Sequence, residues 1–276
     1  MDGSHRVHLS EADYVVEGVH ELLPIRSYRA PSETDVAIAK LVVEQIPDGA
    51  VLSLGVGGVP YTVAKMLAES DKHDLVCHTG TISDAFLELY RAGKLTNARK
   101  ELDTGRSAWN LAMGSQALYD WLDAEPEFFH PGDLDYIHSV ERIAKLSNVI
   151  SINGGVQLDL MGQENAESTG TRQLSGIGGQ MDFLEGAYRS KGGKGFICIN
   201  SSRVTKDGER KSNILATIPG GSTISAPRTM IQYVATEYGI ASLSGKTLRE
   251  RAEAMASIAH PDFREELMKY AQENFK

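Results

Sequence analysis

Residues 35–67 read DVAIAKLVVEQIPDGAVLSLGVGGVPYTVAKML, and this stretch decides the fold. Apolar residues recur at helical spacing through DVAIAKLVVEQI, run almost without interruption through GAVLSLG, and return to helical spacing in VPYTVAKML. A short apolar run that ends in glycine is typical of a strand buried on both faces. The stretch therefore predicts a helix, a buried strand and a second helix. Ser32 is the predicted N-cap of the first helix, with Asp35 three residues later in the capping-box position.

The same alternation of buried strands and amphipathic helices continues along the chain. ISDAFLELYRAGK (82–94) predicts the next helix, and residues 247–275 predict two helices separated at Pro261. Further strands are predicted at HDLVCHTG (73–80), NVISIN (148–153), GFICIN (195–200) and, with a turn, YVATEYGIASLSG (233–245). This alternation of strands and helices is typical of a mostly parallel sheet with helices on both faces, so the predicted fold class is α/β.

The first 31 residues lack this regularity. VVEGVHELLPIRSYRAP (15–31) contains apolar residues without a steady period, and Pro24 and Pro31 interrupt any helix. We therefore predict an extended N-terminal arm over residues 1–31 and one α/β domain over residues 32–276.

Composition narrows the class of protein. The net charge is −9 without any basic tract, which argues against a nucleic-acid partner because phosphates need clustered Lys and Arg. No apolar run approaches the roughly 20 residues of a membrane-spanning helix, and the polar N-terminus lacks the apolar core of a signal peptide. Cys77 and Cys198 are too few and too far apart for a disulfide framework or a zinc site. We expect a cytoplasmic protein with no metal and no membrane partner.

Two glycine-rich stretches are candidates for ligand contacts. LSLGVGGVP (52–60) follows a strand and opens a helix, where backbone N–H groups are exposed at the edge that binds ligands in α/β sheets. It lacks the GxGxxG pattern of a dinucleotide site, and a plain connecting turn is the alternative. LSGIGGQMDFLEGAYRSKGGKG (174–195) predicts a loop that approaches a ligand through its backbone. Its Gly-Gly-Gln N–H groups are suited to a developing oxyanion, and Lys191 and Lys194 to a phosphate.

Single polar residues are less informative. Asn153 and Glu237 each lie at a strand end, where they face the same cleft or satisfy a turn. His78 and His260 are interpreted as structural, and Cys77 as a small apolar residue packed within a strand.

Taken together, these segments resemble the C-terminal half of class I CoA-transferases. The resemblance runs from about residue 8 to the end and is strongest to the 4-hydroxybutyrate and butyrate:acetate CoA-transferases, which are related to acetyl-CoA hydrolases. The segments that carry it are LSLGVGGVP (52–60), HTGTISDAFLELYRAGKLTN (78–97), ISINGGVQLDLMGQ (150–163), STGTRQLSGIGGQMDFLEGAYRSKGGKG (168–195) and VATEYGIASLSGKTLRERAEAMASIAHPDFRE (234–265).

The resemblance implies a CoA-transferase-like fold whose acyl-CoA site forms between two halves. This chain supplies one half, so the resemblance also implies a separate subunit like the N-terminal half, in a heteromer or homo-oligomer, with the arm lying against it. Coenzyme A enters as part of the substrate, and no other cofactor is implied.

In the resembled family, a glutamate at the end of the second strand attacks the acyl-CoA carbonyl and forms first an anhydride and then a glutamyl-CoA thioester. The family pattern there is His-Ser-Glu, a hydrophobic residue, then Ile-Ser-Asp-Gly. This chain reads HTGTISDA from His78, so Gly80 stands at the glutamate position. Covalent catalysis needs a carboxylate placed to attack, which glycine does not provide.

The remaining site residues are matched by the resemblance. Val56 and Gly179 correspond to the two backbone donors of the oxyanion hole, and Glu237 corresponds to a glutamate near the reaction centre. The CoA-binding positions that we expect are Asn153, Gly178, Gln180 and Lys194.

Several functions follow from a retained oxyanion hole without the glutamate. The first is hydrolysis, decarboxylation or carbon–carbon cleavage of an acyl-CoA, with Glu237, His78 or a partner residue as acid or base and Cys77 as a weaker candidate nucleophile. The second is true CoA transfer with a carboxylate supplied by the partner or by Glu167. The third is a CoA-binding or regulatory subunit without turnover. A phosphosugar isomerase of the same broad fold is a fourth option, against which the specific segments argue.

Overall fold

The computed structural model describes residues 8–18 and 30–275. Residues 8–18 are exposed and contain one 3₁₀ turn, Leu9–Glu11. The rest of the predicted arm, residues 1–7 and 19–29, lies outside the described residues, so the arm stays a prediction. Ser32 caps the first helix as predicted, because its side chain accepts a hydrogen bond from the Asp35 N–H and Asp35 accepts one from the Ser32 N–H.

Strands and helices alternate from α1 to β5, and the later strands follow one another in two runs separated by one helix. The strands are β1 Val51–Leu54, β2 Val76–Ile82, β3 Ser107–Ala112, β4 Phe129–Pro131, β5 Val149–Gly154, β6 Gln157–Asp159, β7 Glu164–Asn165, β8 Ser168–Thr169, β9 Arg172–Gln173, β10 Lys194–Cys198, β11 Ser202–Val204, β12 Arg210–Ser212, β13 Ile214–Leu215, β14 Tyr233–Thr236 and β15 Gly239–Ser242. The α-helices are α1 Glu33–Val43, α2 Gly58–Glu69, α3 Asp84–Arg91, α4 Gln116–Ala124, α5 Leu134–Ile137, α6 Val140–Ile143, α7 Gln180–Arg189, α8 Leu248–Ser257 and α9 Pro261–Asn274.

The central sheet has eight strands in the order β15-β14-β10-β5-β1-β2-β3-β4. All neighbouring pairs are parallel except β14 and β15, which form an antiparallel hairpin at one edge. The other strands form small two- or three-stranded sheets beside it. The predicted α/β fold with a mostly parallel sheet is therefore confirmed.

Apolar side chains cover both faces of this sheet. Leu52 and Leu54 of β1 point into a core shared with α1 to α4, whereas Val51 points into a second core beneath α5 to α7. A third cluster joins the β10 and β14 side of the sheet to α8 and α9. Because side chains alternate along a strand, the continuous apolar runs in the sequence are what two covered faces require.

Two elements differ from the sequence prediction. β2 continues past Gly80, where the predicted strand 73–80 ends, to Ile82, so the strand is two residues longer at its carboxyl end than predicted. The glycine-rich stretch 174–195 was predicted as a loop, but it contains α7, with Phe183 and Leu184 buried. Most of its glycines flank this helix; the internal one, Gly186, packs against Ile143, which a Cβ there would approach to 2.4 Å.

Candidate active site

A cavity of about 740 Å³ lies where the central parallel strands reach their carboxyl ends. This is the edge at which open α/β sheets bind ligands. The strands, the segment from α5 to residue 141 and the start of α7 line the cavity, which we call the cleft. Five residues singled out in the sequence meet in it: Gly80, Asn153, Gly178, Gly179 and Gln180.

Gly80 faces a histidine across the cleft. A Cβ at position 80 would lie 3.0 Å from Nε2 and 3.1 Å from Cε1 of His138, and 3.5 Å from the ring of Phe183. The position has no side chain of its own, and the nearest titratable atom on that side is therefore an imidazole nitrogen. The residue closest to the place that a side chain at position 80 would occupy is thus His138, which the sequence analysis did not identify.

His138 is held by a carboxylate on its far side. Its Nδ1 lies 3.1 Å from Oδ2 of Asp182 in the first turn of α7, and the Phe183 ring packs edge-on at 5.2 Å between centroids. The His138 side chain is 13% exposed. Since a carboxylate accepts the Nδ1 proton, the neutral ring carries its lone pair on Nε2, the atom that faces Gly80. An imidazole oriented in this way is suited to act as a general base.

The start of α7 supplies backbone donors to the same cleft. Gly179 is the N-cap of this ten-residue helix and makes no side-chain cap, and Gly178 has a φ of +60°, the left-handed region that favours glycine. N–H groups at a helix start are unpaired within the helix and carry its positive partial charge. A helix start of this kind is suited to stabilise a carbonyl oxygen that becomes negative. The oxyanion role of Gly179 stays a prediction.

Gly179 also has to be glycine because of His138. A Cβ at position 179 would lie 2.0 Å from Cε1 and 2.3 Å from Nδ1 of that ring. The imidazole is thus in direct contact with the backbone of Gly179 on one side and close to Gly80 on the other.

We expect Gly179→Ala to displace the His138 ring from Asp182 and to lower the free energy of unfolding by roughly 1–3 kcal/mol, the usual cost of overpacking. Denaturant unfolding measures the loss, and a crystal structure of the variant shows the ring position. The matched control is Gly176→Ala in the same segment, where a Cβ meets nothing within 4 Å. Equal stability of the two variants would contradict the close contact between Gly179 and His138.

Asn153 and Val56 lie near the carboxyl ends of the neighbouring strands β5 and β1. Asn153 lines the cleft, and its Nδ2 donates to Ser151 Oγ at 2.8 Å. Val56 lies in the turn between β1 and α2 and lines a neighbouring cavity of about 230 Å³ with Gly57 and Gly155. Gly55, the residue before it, lines the cleft. The oxyanion role of Val56 stays a prediction.

Glu237 and Lys194 lie outside both cavities. Glu237 follows β14 at the same sheet edge, and its carboxylate accepts hydrogen bonds from the Ser201 N–H at 3.0 Å and the Ser201 hydroxyl at 2.6 Å. Lys194 begins β10 at the opposite edge, where its Nζ donates to the backbone oxygen of Gln45 at 3.0 Å. The structure therefore does not bring Lys194 to the cleft, and nothing in its contacts supports a role in CoA binding.

Three alternative reactive groups from the sequence are buried. His78 donates from Nε2 to the Ile137 carbonyl at 2.9 Å, and burial together with the charge of Lys100 lowers its pKa to about 3. Burial raises the pKa of the Cys77 thiol to about 12. Glu167 is 8% exposed and accepts a hydrogen bond from Gln173. None of the three lines the cleft, so each is disfavoured as a nucleophile or base.

Residues 8–18 and 30–275 contain neither a membrane-spanning helix nor a cluster of metal-binding side chains. No helix there has the length and apolar character needed to cross a membrane. No group of three or more His, Cys, Asp or Glu side chains is arranged to hold a metal ion in the same ranges.

A family model identifies the domain. The acetyl-CoA hydrolase/transferase C-terminal domain matches residues 114–271. The chain belongs to this family. It is 45% identical over 267 residues to the butyryl-CoA:acetate CoA-transferase of Anaerostipes caccae, a match that covers 96% of this chain and 60% of that protein. It is also 40% identical over 273 residues to the 4-hydroxybutyrate CoA-transferase of Clostridium kluyveri, covering 99% of this chain and 62% of that protein.

The fold of the family is shared by a solved relative. The crystal structure of RipA from Yersinia pestis superposes with a TM-score of 0.86 at 38% identity, over 97% of this chain and 59% of RipA. The predicted resemblance to 4-hydroxybutyrate and butyrate:acetate CoA-transferases is thus confirmed. This chain spans about three fifths of the length of these relatives.

Proposed function

We propose that this chain is the C-terminal half of an enzyme that hydrolyses an acyl-CoA thioester without a covalent glutamyl intermediate. The observation that carries the proposal is the group formed by Gly80, His138 and Asp182. A strand position without a side chain faces an imidazole nitrogen, and a carboxylate orients that imidazole from behind. Membership of a family that includes acetyl-CoA hydrolases supports the substrate class.

The proposed reaction uses water as the nucleophile. Gly80 and His138 both line the cleft, and the attacking water is placed there, within hydrogen-bonding reach of His138 Nε2. As the water oxygen bonds to the thioester carbon, Nε2 takes its proton and Asp182 stabilises the imidazolium. The carbonyl oxygen becomes negative against the Gly179 N–H, with Val56 as the second predicted donor. The carbon–sulfur bond then breaks, the CoA thiolate takes the proton from His138, and the free carboxylic acid leaves.

Hydrolysis is favoured over the alternatives by this geometry. Decarboxylation and carbon–carbon cleavage use the same oxyanion donors. Neither reaction needs a base such as His138 that is directed at Gly80, the position without a side chain. For CoA transfer the sequence analysis considered Glu167 as the carboxylate, but Glu167 is buried and does not line the cleft. A binding subunit without turnover would not need Asp182 to orient the lone pair of His138. The role of Glu237 as an acid or base is not part of this mechanism.

We further propose a partner half and a cytoplasmic location. The relatives are longer than this chain, and the family resemblance implies a site built between two halves. The segment 8–18 exposes Leu9, Tyr14, Val15 and Val16, of which Tyr14 is 91% exposed. Apolar side chains in a row are suited to lie against another protein surface. Two unpaired cysteines, both buried, agree with a reducing compartment.

The test is a product analysis of the complex that this chain forms with its N-terminal half. We expect free CoA and free acid to appear from a panel of acyl-CoAs at a rate independent of added acetate, as measured by mass spectrometry. Formation of acetyl-CoA from acetate would contradict hydrolysis and favour transfer. Binding of acyl-CoA with every thioester intact would favour the non-catalytic role.

A further inference from the structure

Glu164 is a buried carboxyl group that the proposed reaction does not use. It begins β7 with no exposed surface, and its Oε1 has no hydrogen-bond partner among residues 8–18 and 30–275. Its surroundings are Leu158 from β6, Ile197 from β10 and the backbone of Gly155, where a Cβ would lie 2.7 Å from Oε1. The charge that acts on it is that of Glu167, a like charge. An ionised carboxylate with an unpaired oxygen and no cation is costly to bury, so this site favours the protonated acid.

The other oxygen of Glu164, Oε2, contacts a side chain that lines the cleft. Gln180, the first residue of α7, donates from its side-chain Nε2 to Oε2 of Glu164. Gln180 lines the cleft next to Gly179, the predicted oxyanion donor. The buried carboxyl group is therefore linked to the cleft through the Gln180 amide.

An amide of this kind has two orientations related by a half-turn of its terminal group. A carboxylate accepts from the NH₂ group, which is the orientation in the structure, and leaves the amide oxygen toward the cleft. A protonated carboxyl donates to the amide oxygen and leaves the NH₂ group toward the cleft. Only the second orientation offers a donor to the oxygen of an acyl-CoA carbonyl.

We propose that Glu164 is a positioning residue, which in its protonated form turns the NH₂ group of Gln180 into the cleft as an additional donor to the thioester oxygen. This inference rests on the proposed function, because the donor is directed at the acyl-CoA carbonyl. Gln180 then acts together with Gly179 at the start of α7, and Glu164 acts only through Gln180.

Burial raises the pKa of Glu164 to about 8 from its ordinary value of 4.5, and this sets the pH window of the effect. Between these values the folded protein holds the proton and the unfolded chain has lost it. The free energy of unfolding therefore falls as pH rises through that window. Above about pH 8 the carboxylate forms and the Gln180 amide turns its oxygen to the cleft.

Three variants in the complex test the proposal. Glu164→Gln keeps a donor to the Gln180 oxygen and cannot ionise, so it should retain the activity seen at pH 7 and lose the decline above pH 8. Glu164→Leu removes the donor, and we expect kcat/KM to fall about tenfold, the value of one neutral hydrogen bond at the upper end of its range. Glu167→Gln removes the like charge that helps to raise the pKa of Glu164, so it should move the alkaline decline to lower pH without abolishing it.

A binding measurement separates this proposal from the proposed function. A ketone analogue of acetyl-CoA, which cannot be hydrolysed, should bind the natural complex less tightly at pH 9 than at pH 7. It should bind Glu164→Gln equally at both values. That result supports the positioning role even if no thioester is hydrolysed. An unchanged alkaline decline in Glu164→Gln, or full activity in a folded Glu164→Leu, would overturn the role of Glu164.

Discussion

We expect His138→Gln to lower kcat for thioester hydrolysis by roughly 10²–10⁴, the usual contribution of a general base. Glutamine fills most of the space of the imidazole between Gly80 and Gly179 but cannot take a proton from water. KM should change little, because the backbone donors at the start of α7 remain in place. Steady-state kinetics of free CoA release, in the complex with the partner half, measure both quantities.

Asp182→Asn should have a smaller effect on the same step. An amide that offers its NH₂ group to Nδ1 favours the tautomer with the proton on Nε2, which directs the lone pair away from Gly80.

The matched control for His138→Gln is His260→Asn, because His260 also lies near an aspartate, with its Nδ1 3.4 Å from Asp262 Oδ2, and is 15% exposed. Asparagine keeps the helix N-cap at the start of α9, so that variant should retain full activity. Unchanged hydrolysis in His138→Gln would contradict the role of His138 as base.

The sheet of this protein could be predicted from the sequence because its strands are buried on both faces. Runs such as NVISIN and GFICIN are short and rich in β-branched and aromatic residues, which favours a buried strand over a buried helix. Residues 98–147, which contain β3, β4 and three short helices, gave no regular period and were not predicted. β4 has three residues and α5 and α6 four each, which is too short for a periodic pattern to appear.

The candidate site was predicted in part for a related reason. Glycines and strand-end asparagines carry a local signal, so Gly80, Asn153 and Gly179 were identified and do meet in the cleft. His138 follows a four-residue helix and reaches Asp182 only through the fold, 44 positions later in the chain. Glu164 lies in a polar segment that also contains Asp159 and Glu167, and its burial depends on strands β6 and β10. Contacts between distant elements of this kind leave no pattern in a short window of sequence.

The second large effect is a gain of function from Gly80→Glu. Position 80 lies in β2 without a positive φ, so the backbone accepts a side chain. The new Cβ would approach His138 to 3.0 Å, and the ring has to shift by a few tenths of an ångström. The carboxylate then stands where the family resemblance places the attacking glutamate. We expect CoA transfer to acetate to rise at least about 100-fold above the natural complex, since an oriented carboxylate reacts as an intramolecular nucleophile.

A covalent protein–CoA adduct is the decisive observation for this variant. The glutamate attacks the acyl-CoA carbonyl and releases the CoA thiolate; the thiolate then attacks the glutamyl carbonyl and releases the acid, which leaves CoA bound as a thioester. Mass spectrometry of the intact chain after mixing with acyl-CoA detects this species, and Gly80→Gln is the control with the same bulk and no nucleophile. Hydrolysis should fall in both variants, because either side chain occupies the space of the proposed water. A folded Gly80→Glu complex that binds acyl-CoA and forms no adduct would mean that Gly80 does not occupy the position of the family glutamate.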